Sequence, residues 1–563
     1  LLWLLDKCKT AMGSRKLRQW LMNPLKDINK INGRYDSIEK LNTEFILKDE
    51  LRNNLDSVYD LERLTGKITN GSLNGRDLLQ LKNSLEVLPK IKEIIDKLGF
   101  KYEFSLHTDI YNLLNISISE DAPYTIKDGG IIKPGYNKEL DELKSIRSGG
   151  KDFVAQFENQ IKEETGIKNL KVGYNRVFGY YIEVSKGNIK DIKPEYGFER
   201  RQTLVNCERY ICPLLKEKES LILNAEEKII ELEYELFCNI KESVKKEILN
   251  IKNTADIISE IDAISSLAVC ADQYNLVRPK LNNDHILHIV DGRHPVIENT
   301  LKEGYVPNDT DMDSNSTTLL ITGPNMSGKS TYMRQNAIII IMAQMGSFVP
   351  AKSANLPIID KIFTRIGASD DLVSGESTFM VEMKEAKNAI LNATNNSLIL
   401  FDELGRGTAT YDGMALARAI LEYATKKIKC FTFFSTHYHE LTDLEKTIPT
   451  LKNVHVSAVE DGEKLTFLHK VKNGAVDKSY GIHVARLAGL PEDLLQSAEE
   501  ILHVYESKKP KEKNNNFQLE MSFEEPKPND PIKEYLNNID PMNTTPIEAL
   551  NNIITLKEMI NKN

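Results

Sequence analysis

Residues 318–338, TLLITGPNMSGKSTYMRQNAI, hold Gly323, Gly328, Lys329 and Ser330 in the spacing G-x-x-x-x-G-K-[ST] directly after an apolar, β-type run. An apolar strand has to enter such a loop and a helix has to leave it, because only then do backbone N–H groups and a helix N-terminus converge on one anion. A fortuitous glycine turn would need none of that context. The segment predicts an α/β nucleotide-binding domain with Gly323, Pro324, Asn325, Met326, Ser327, Gly328, Lys329, Ser330 and Thr331 around the phosphates. The loop specifies phosphate and leaves its use to the rest of the chain.

A second stretch, SLILFDELGRGTATYDG, supplies the acidic half of the site: a buried strand, Leu398–Phe401, ends in Asp402 and Glu403. Asp402 is placed to hold Mg2+ together with the Ser330 hydroxyl, and Glu403 to polarise the attacking water, so that Lys329, Glu403 and His437 form the expected catalytic set. His437 is delivered by CFTFFSTHYHEL at the C-terminal edge of a third strand, where ligands of open α/β sheets bind and a γ-phosphate can be sensed. His437, His439 and Glu440 match no zinc spacing, and a metal reading of them is set aside. In DDLVSGESTFMVEM, Ser374, Gly375, Glu376, Ser377 and Thr378 open a helix and offer hydroxyls and free N–H groups to an anion. Helix capping accounts for part of that. The chain already has its own phosphate loop, so this second helix end is read as serving a neighbour's nucleotide.

The remaining segments read as supports. Residues 1–152 show helical periodicity, as in Leu79, Leu81, Leu85, Leu88, Ile91 and Ile94, a core face. From Leu214 to Arg278 neither Gly nor Pro occurs, a long-helix composition that either runs unbroken for on the order of 100 Å or folds into two arms near Asn253–Thr254. Before it, residues 165–210 alternate as strands (Leu170, Val172, Tyr174; Tyr180, Ile182, Val184) and carry nine basic residues against five acidic ones. The whole chain is −9, so this +4 tip is a local exception. A solvated hairpin is the bland alternative; a basic, aromatic-rich tip on long arms suits contact with a phosphate backbone, through Lys171, Arg176, Arg200 and Arg201.

The expected organisation is multidomain: a mainly α-helical domain (1–152) with an inserted β-rich unit (153–212), long lever helices (213–276), an α/β P-loop nucleotide domain (277–474) and a C-terminal segment (475–507). A Pro-, Lys- and Asn-rich linker (508–531) follows, then a segment (532–563) whose capped last helix has an apolar stripe that a partner helix would cover. The six cysteines are too sparse for a disulfide scaffold and form no paired C-x-x-C zinc pattern. The longest apolar run near the loop is far short of the roughly 20 residues a spanning helix needs. No membrane role and a cytoplasmic location are expected.

GPNMSGKST, SGESTFMVEM, DELGRGTATYDG and STHYHEL, with TAMGSRKLRQWL and YNRVFGYYIEVSK in the arms and tip, resemble the DNA mismatch repair ATPases of the MutS family, which belong to the ABC-type ATPases. The likeness spans essentially the whole chain, and it implies a mainly α-helical core and lever domain (1–152) with an inserted β-rich clamp (153–212), lever helices returning to the core (213–276), an α/β ABC-type P-loop ATPase domain (277–474), a C-terminal helix-turn-helix (475–507) and C-terminal oligomerisation helices (532–563). It implies ATP and Mg2+ as cofactors, and a homodimer, or a tetramer, whose composite sites join one subunit's loop to Ser374, Gly375 and Ser377 of the other. It implies Asn325 and His437 near the γ-phosphate, Tyr305 stacked on adenine, residues 165–210 as a clamp over double-stranded DNA, and Ser479–Leu490 as the dimer-locking helix-turn-helix. It further implies a MutL-type repair partner, and a sliding-clamp peptide in QLEMSF through Gln518, Leu519, Met521 and Phe523. The family reads mismatches with a Phe-x-Glu motif in an N-terminal domain; Phe523-Glu524-Glu525 fits those letters but stands in the tail and is taken as coincidence. The chain starts at Leu1 in mid-pattern, so an N-terminally truncated member is expected. The rival classes are a recombination-type DNA clamp and a transporter nucleotide subunit; the long arms and basic tip disfavour the second.

Overall fold

Helices α1 (Leu2–Leu5), α2 (Ala11–Met22), α3 (Ile28–Thr43), α4 (Phe45–Leu55), α5 (Leu61–Thr69), α6 (Gly75–Leu98) and α7 (Thr108–Ser117) open the chain. The computed structural model describes residues 1–125, 129–175, 179–301, 304–367, 378–461, 464–475 and 481–507, with 552 and 555. Contacts divide the chain into a unit from Leu1 to Val484 and a second from Ala485 to Asn563. In α6 the buried stripe is Leu78, Leu81, Leu85, Leu88, Ile91, Ile94, Ile95 and Leu98. Leu79, expected in it, is only half-buried, because the adjacent Leu78 falls in phase with Leu81 and Leu85.

Two long helices, α8 (Lys138–Thr165) and α9 (Pro213–Lys246), pack against each other and carry a four-stranded antiparallel sheet between them in sequence: β1 (Lys171–Asn175), β2 (Gly179–Ser185), β3 (Glu199–Thr203) and β4 (Cys207–Ile211), in the order β1-β2-β4-β3. Its own small core is Phe157, Ile161, Ile167, Leu170, Ile182, Val184, Tyr210, Cys212 and Leu215. The Gly- and Pro-free stretch does not break at Asn253–Thr254. It breaks at Glu247 (φ −94°, ψ 7°), and α10 (Ile248–Gln273) follows at once. Packing imposes that break: α10 buries most of its residues between Ile251 and Ala271 as the central helix of the first core, and Thr254 is fully buried beside His107 (2.9 Å).

At α10, Asp262 is fully buried and accepts from Lys9 N (2.9 Å), Thr10 N and Thr10 Oγ1 (both 2.7 Å), and the Thr10 hydroxyl caps α2 by accepting from Gly13 N (2.9 Å). A Cβ on Gly13 would lie 2.7 Å from Asp262 Cγ. Gly13→Ala should therefore cost ~1–3 kcal/mol in urea unfolding. Gly33→Ala in α3, where a Cβ meets nothing within 4 Å, should be neutral or stabilising by up to ~1 kcal/mol. Equal midpoints for the two variants would contradict the packing argument.

The second half of the unit begins with β5 (Lys280–Asn282), β6 (Leu287–Gly292), α11 (Pro295–Glu298), β7 (Asn308–Met312), β8 (Thr318–Thr322), α12 (Lys329–Met345), β9 (Ser353–Pro357) and β10 (Ile362–Arg365). It continues with α13 (Thr378–Asn392), β11 (Leu398–Asp402), α14 (Thr410–Tyr423), β12 (Phe431–Ser435), β13 (Leu451–Asp461) and β14 (Lys464–Asn473). Strands β10-β11-β12-β8-β13 run parallel in that order, and β14 closes the sheet antiparallel to β13. All five residues of β8 and of β12 are buried, as continuous runs are in sheets covered on both faces. A smaller sheet, β5-β9-β6-β7, lies alongside. Helix α12 has no solvent face to speak of: it packs on β11 and β12 and also on α2 and α3, so one apolar cluster runs from the opening helices into the large sheet. The remaining helices are α15 (Gly481–Leu487) and α16 (Glu492–Ser507). In the second unit Arg486 pairs with Glu492 (2.7 Å) and Glu499 (3.2 Å) of α16.

Candidate nucleotide site and basic tip

Strand β8 ends at Thr322 and the chain turns through Gly323 (φ 136°), Met326 (φ 66°) and Gly328 (φ 104°) before α12 starts at Lys329. Those angles wrap the backbone around the helix N-terminus. At Met326, a residue with a Cβ, the left-handed conformation costs roughly 1–2 kcal/mol, held by the surrounding loop. Gly328 makes no side-chain cap bond to α12, and the Ser327 hydroxyl is buried without a hydrogen-bond partner. Open helix N–H groups and an orphaned hydroxyl are the features an anion would satisfy. Asn325 and Met326 are exposed at the crest, and Pro324 contributes its carbonyl within.

Lys329 is 4% exposed; its Nζ donates to Gly323 O (2.9 Å) and Pro324 O (3.1 Å) and lies 3.5 Å from Glu403 Oε1. Burial pushes its pKa down, against the pull of Glu403 and Asp402. Asp402, at the end of β11, accepts from the Ser330 hydroxyl on one oxygen and from the Ser435 hydroxyl, at the end of β12, on the other. Glu403 follows with φ 56°, its N–H donating to Ser435 O (3.1 Å). Such a backbone, uncommon outside glycine, turns the carboxylate back over the sheet edge. Glu403 meets His437 Nε2 at 2.6 Å and the Arg406 guanidinium on its other oxygen. Burial would raise its pKa; the His437 hydrogen bond and charge, with Lys329 and Arg406, outweigh it and bring the carboxyl down to about 2.

The structure thus brings Lys329, Ser330, Asp402, Glu403 and His437 together at the C-terminal edge of β8, β11 and β12. Among the described residues no group of three or more His, Cys, Asp or Glu could hold a metal by itself. The Ser330–Asp402 pair is an oxygen-donor set of the kind Mg2+ takes alongside water and phosphate. Tyr305 donates to Gln335 Oε1 (2.9 Å) and lines a cleft of about 230 Å3 with Ile297, Val306, Met326, Thr331 and His469. On the other side a cleft of about 290 Å3 is lined by Arg365, Thr378, Glu382, Asp402, Glu403 and Arg406. Ser374, Gly375 and Ser377 lie outside the described residues, as do Arg176 and the peptide Gln518, Leu519, Met521 and Phe523.

Sequence reasoning missed three members of this region. Arg406 stood inside a quoted motif without a role. Ser435 looked like an ordinary strand end. His469, whose Nδ1 lies 2.7 Å from Ser327 O across 142 residues of chain, carries no local signal at all.

At the tip, register separates residues that composition had grouped. Lys171, Glu183, Arg209 and Gln202 share one face of the sheet, while Val172, Ile182, Tyr210 and Arg200 share the other. Lys171 is on edge strand β1 and Arg200 and Arg201 on the opposite edge strand β3, three strand spacings or roughly 14 Å away. The Arg200 and Arg201 side chains are 64% and 50% exposed, with only loose partners in Glu208 (3.5 Å) and Glu199 (3.8 Å). Arg209 is engaged, donating to Glu183 (3.0 Å) and lying over the Tyr181 ring (4.1 Å).

Residues 1–268 match the family model of MutS domain III and residues 319–506 that of MutS domain V. The chain is 51% identical over 582 residues to the DNA mismatch repair protein MutS of Listeria monocytogenes serotype 4a (strain HCC23), covering all of this chain and 68% of that protein. It is 50% identical over 585 residues to the DNA mismatch repair protein MutS of Bacillus subtilis (strain 168), again covering all of this chain and 68% of the relative. To the protein of the same name from Bacillus cytotoxicus (strain DSM 22905 / CIP 110041 / 391-98 / NVH 391-98) it is 55% identical over 509 residues, 89% of this chain and 57% of that one.

Proposed function

This chain belongs to the MutS family of DNA mismatch repair proteins, and on that premise we propose that it is an ATPase whose hydrolysis is coupled to a clamp on double-stranded DNA. The observation that carries the reading is the meeting of Lys329, Ser330, Asp402, Glu403 and His437 at one sheet edge. Lys329 binds the β- and γ-phosphates in exchange for the Gly323 and Pro324 carbonyls and for Glu403. That exchange matters for basicity. A carboxyl held at about 2 by the His437 hydrogen bond and by Lys329 and Arg406 is a poor proton acceptor, and Lys329 turning toward phosphate lets Glu403 regain basicity as the substrate is seated. His437 keeps Glu403 oriented and faces the γ-phosphate. Ser330 and Asp402 would hold Mg2+, which neutralises phosphate charge when bound. Tyr305 offers its ring to the base.

Several finer assignments rest on the family resemblance. Ser374, Gly375 and Ser377 complete the site of a second subunit in a homodimer or tetramer; Ser479–Leu490 locks that dimer. Residues 153–212 close over duplex DNA through Lys171, Arg176, Arg200 and Arg201. A MutL-type partner and, through Gln518, Leu519, Met521 and Phe523, a sliding clamp receive the signal. No helix among the described residues is long and apolar enough to cross a membrane.

The test is ATP turnover by this chain with and without duplex DNA, beside equilibrium binding of a fluorescent ATP analogue. Saturable binding that requires Lys329, with turnover that rises on adding duplex, is expected. Binding unchanged in Lys329→Ala would refute the site, and turnover indifferent to DNA would refute the coupling.

A further inference from the structure

Helix α12 starts at the nucleotide loop and ends against the opening segment, where Leu25, Arg34 and Tyr35 take three of its last four carbonyls while Met342 O accepts from Gly346 N and Ser347 N at its own C-cap. Tyr35 Oη donates to Ala343 O (2.7 Å), Leu25 N to Gln344 O (2.9 Å), and Arg34 Nη1 to Met345 O (2.5 Å). The Gln344 side chain returns a bond to Leu25 O (2.9 Å) and reaches Ile359 O (2.9 Å) as well. A helix C-terminus carries a partial negative charge and unpaired carbonyls, so a guanidinium is the group best suited to it. Arg34 is held flat by Trp20, its guanidinium carbon 3.5 Å from the ring centroid. Gly346 (φ 92°) ends the helix, and a Cβ there would collide with the Arg34 side chain.

Arg34 also has somewhere else to go. It borders a cleft of about 850 Å3 between α3, α6 and α10, lined among others by Lys30, Lys40, Lys101, Tyr102 and Glu260. Glu260, on α10, faces Arg34 across this space with its carboxylate fixed by the Tyr102 hydroxyl (3.1 Å). We infer that Arg34 is a positioning residue that couples the nucleotide loop to the lever, resting on the Met345 carbonyl in one state of α12 and crossing to Glu260 in the other. Helix α12 is 17 residues long and largely buried, so in this scheme it carries a displacement at Lys329 to its far end, where a packed joint with two discrete partners turns it into a switch. This inference rests on the nucleotide reading of the loop.

The chain has two tryptophans, Trp3 and Trp20. In a Trp3→Phe background the indole under Arg34 is the only one and reports the latch directly. Titrating a non-hydrolysable ATP analogue should change Trp20 emission saturably, with the same midpoint as nucleotide binding measured by filter retention. Arg34→Ala should retain nucleotide binding and DNA-free turnover within about threefold, lose the Trp20 response, and lose DNA stimulation of turnover. Arg34→Lys, which keeps the charge and a donor but not the stacked plane, should recover part of both. Glu260→Gln should leave binding intact and shrink the emission change. Nucleotide bound without any Trp20 response in the Trp3→Phe protein would overturn the latch alone. Absence of nucleotide binding by filter retention would overturn the site reading and the latch with it. Arg34→Ala that still shows full DNA stimulation would reduce Arg34 to a structural contact.

Discussion

Replacing Glu403 by Gln should leave ATP bound within about threefold of wild-type affinity while slowing its hydrolysis by ~10²–10⁴-fold, the usual worth of a general base. Gln keeps the shape of the side chain and a contact to His437 but cannot take a proton from water. Lys329→Ala should fail earlier, at binding, because the Gly323 and Pro324 carbonyls and Glu403 then face the loop without the ammonium that holds them and would hold the phosphates. The pH dependence discriminates further. Glu403 is held at about 2, so in the free protein it is ionised through the neutral range, and the profile of kcat/KM should show no acid limb from this group above roughly pH 4. The same sign holds for stability: a depressed carboxyl contributes above its unfolded range, and the contribution is lost as pH falls through about 2. A Glu403→Gln protein that turned over ATP at more than about a tenth of the wild-type rate would remove Glu403 from the reaction.

Reversal of Lys171, Arg176, Arg200 and Arg201 to Glu should abolish duplex binding altogether. Phosphate contacts position a protein without reading sequence, so this chain should bind matched and G–T mismatched duplexes with near-equal affinity, the logarithm of that affinity falling by roughly 0.9 per neutralised phosphate for each decade of salt. The ion pairs of Arg200 and Arg201 are long and solvent-exposed, the kind worth little to the fold and readily exchanged for phosphate oxygens. Because Lys171 and the Arg200–Arg201 pair stand on opposite edges of the sheet, reversal at one edge should remove only part of the salt slope. Arg209→Glu should act differently, loosening the tip itself through Glu183 and Tyr181. The measurement is a competition titration with both duplexes at two salt concentrations. A tenfold or larger preference for the mismatch would show that the arms or tip read pairing errors, contrary to this division of labour.

How far the sequence could be read depended on the distance over which each feature is specified. The loop from Gly323 to Ser330 was legible because strand, turn and helix are consecutive and glycine marks the positive φ angles at Gly323 and Gly328. Asp402 and Glu403 were legible because a wholly apolar strand ending in two acids has few other uses. The arm was legible as helix but its break was not: Glu247 is flanked by good helix formers, and only the burial of α10 against the first core forces a turn there. At the tip, composition gave the charge, whereas the pairing register decided which basic residues share a face. Sequence by itself therefore determined the local chemistry: a phosphate loop, an acidic pair, a basic tip and the helical or extended character of most segments. Tertiary structure alone decided the distant contacts that no motif announced: Ser435 on Asp402, His469 on the Ser327 carbonyl, and Arg34 on the end of α12. The physical reason is that dihedral preference and hydrophobic period act over a few residues. Contacts across hundreds of residues follow from strand order and from which faces pack, and no short stretch of chain encodes either.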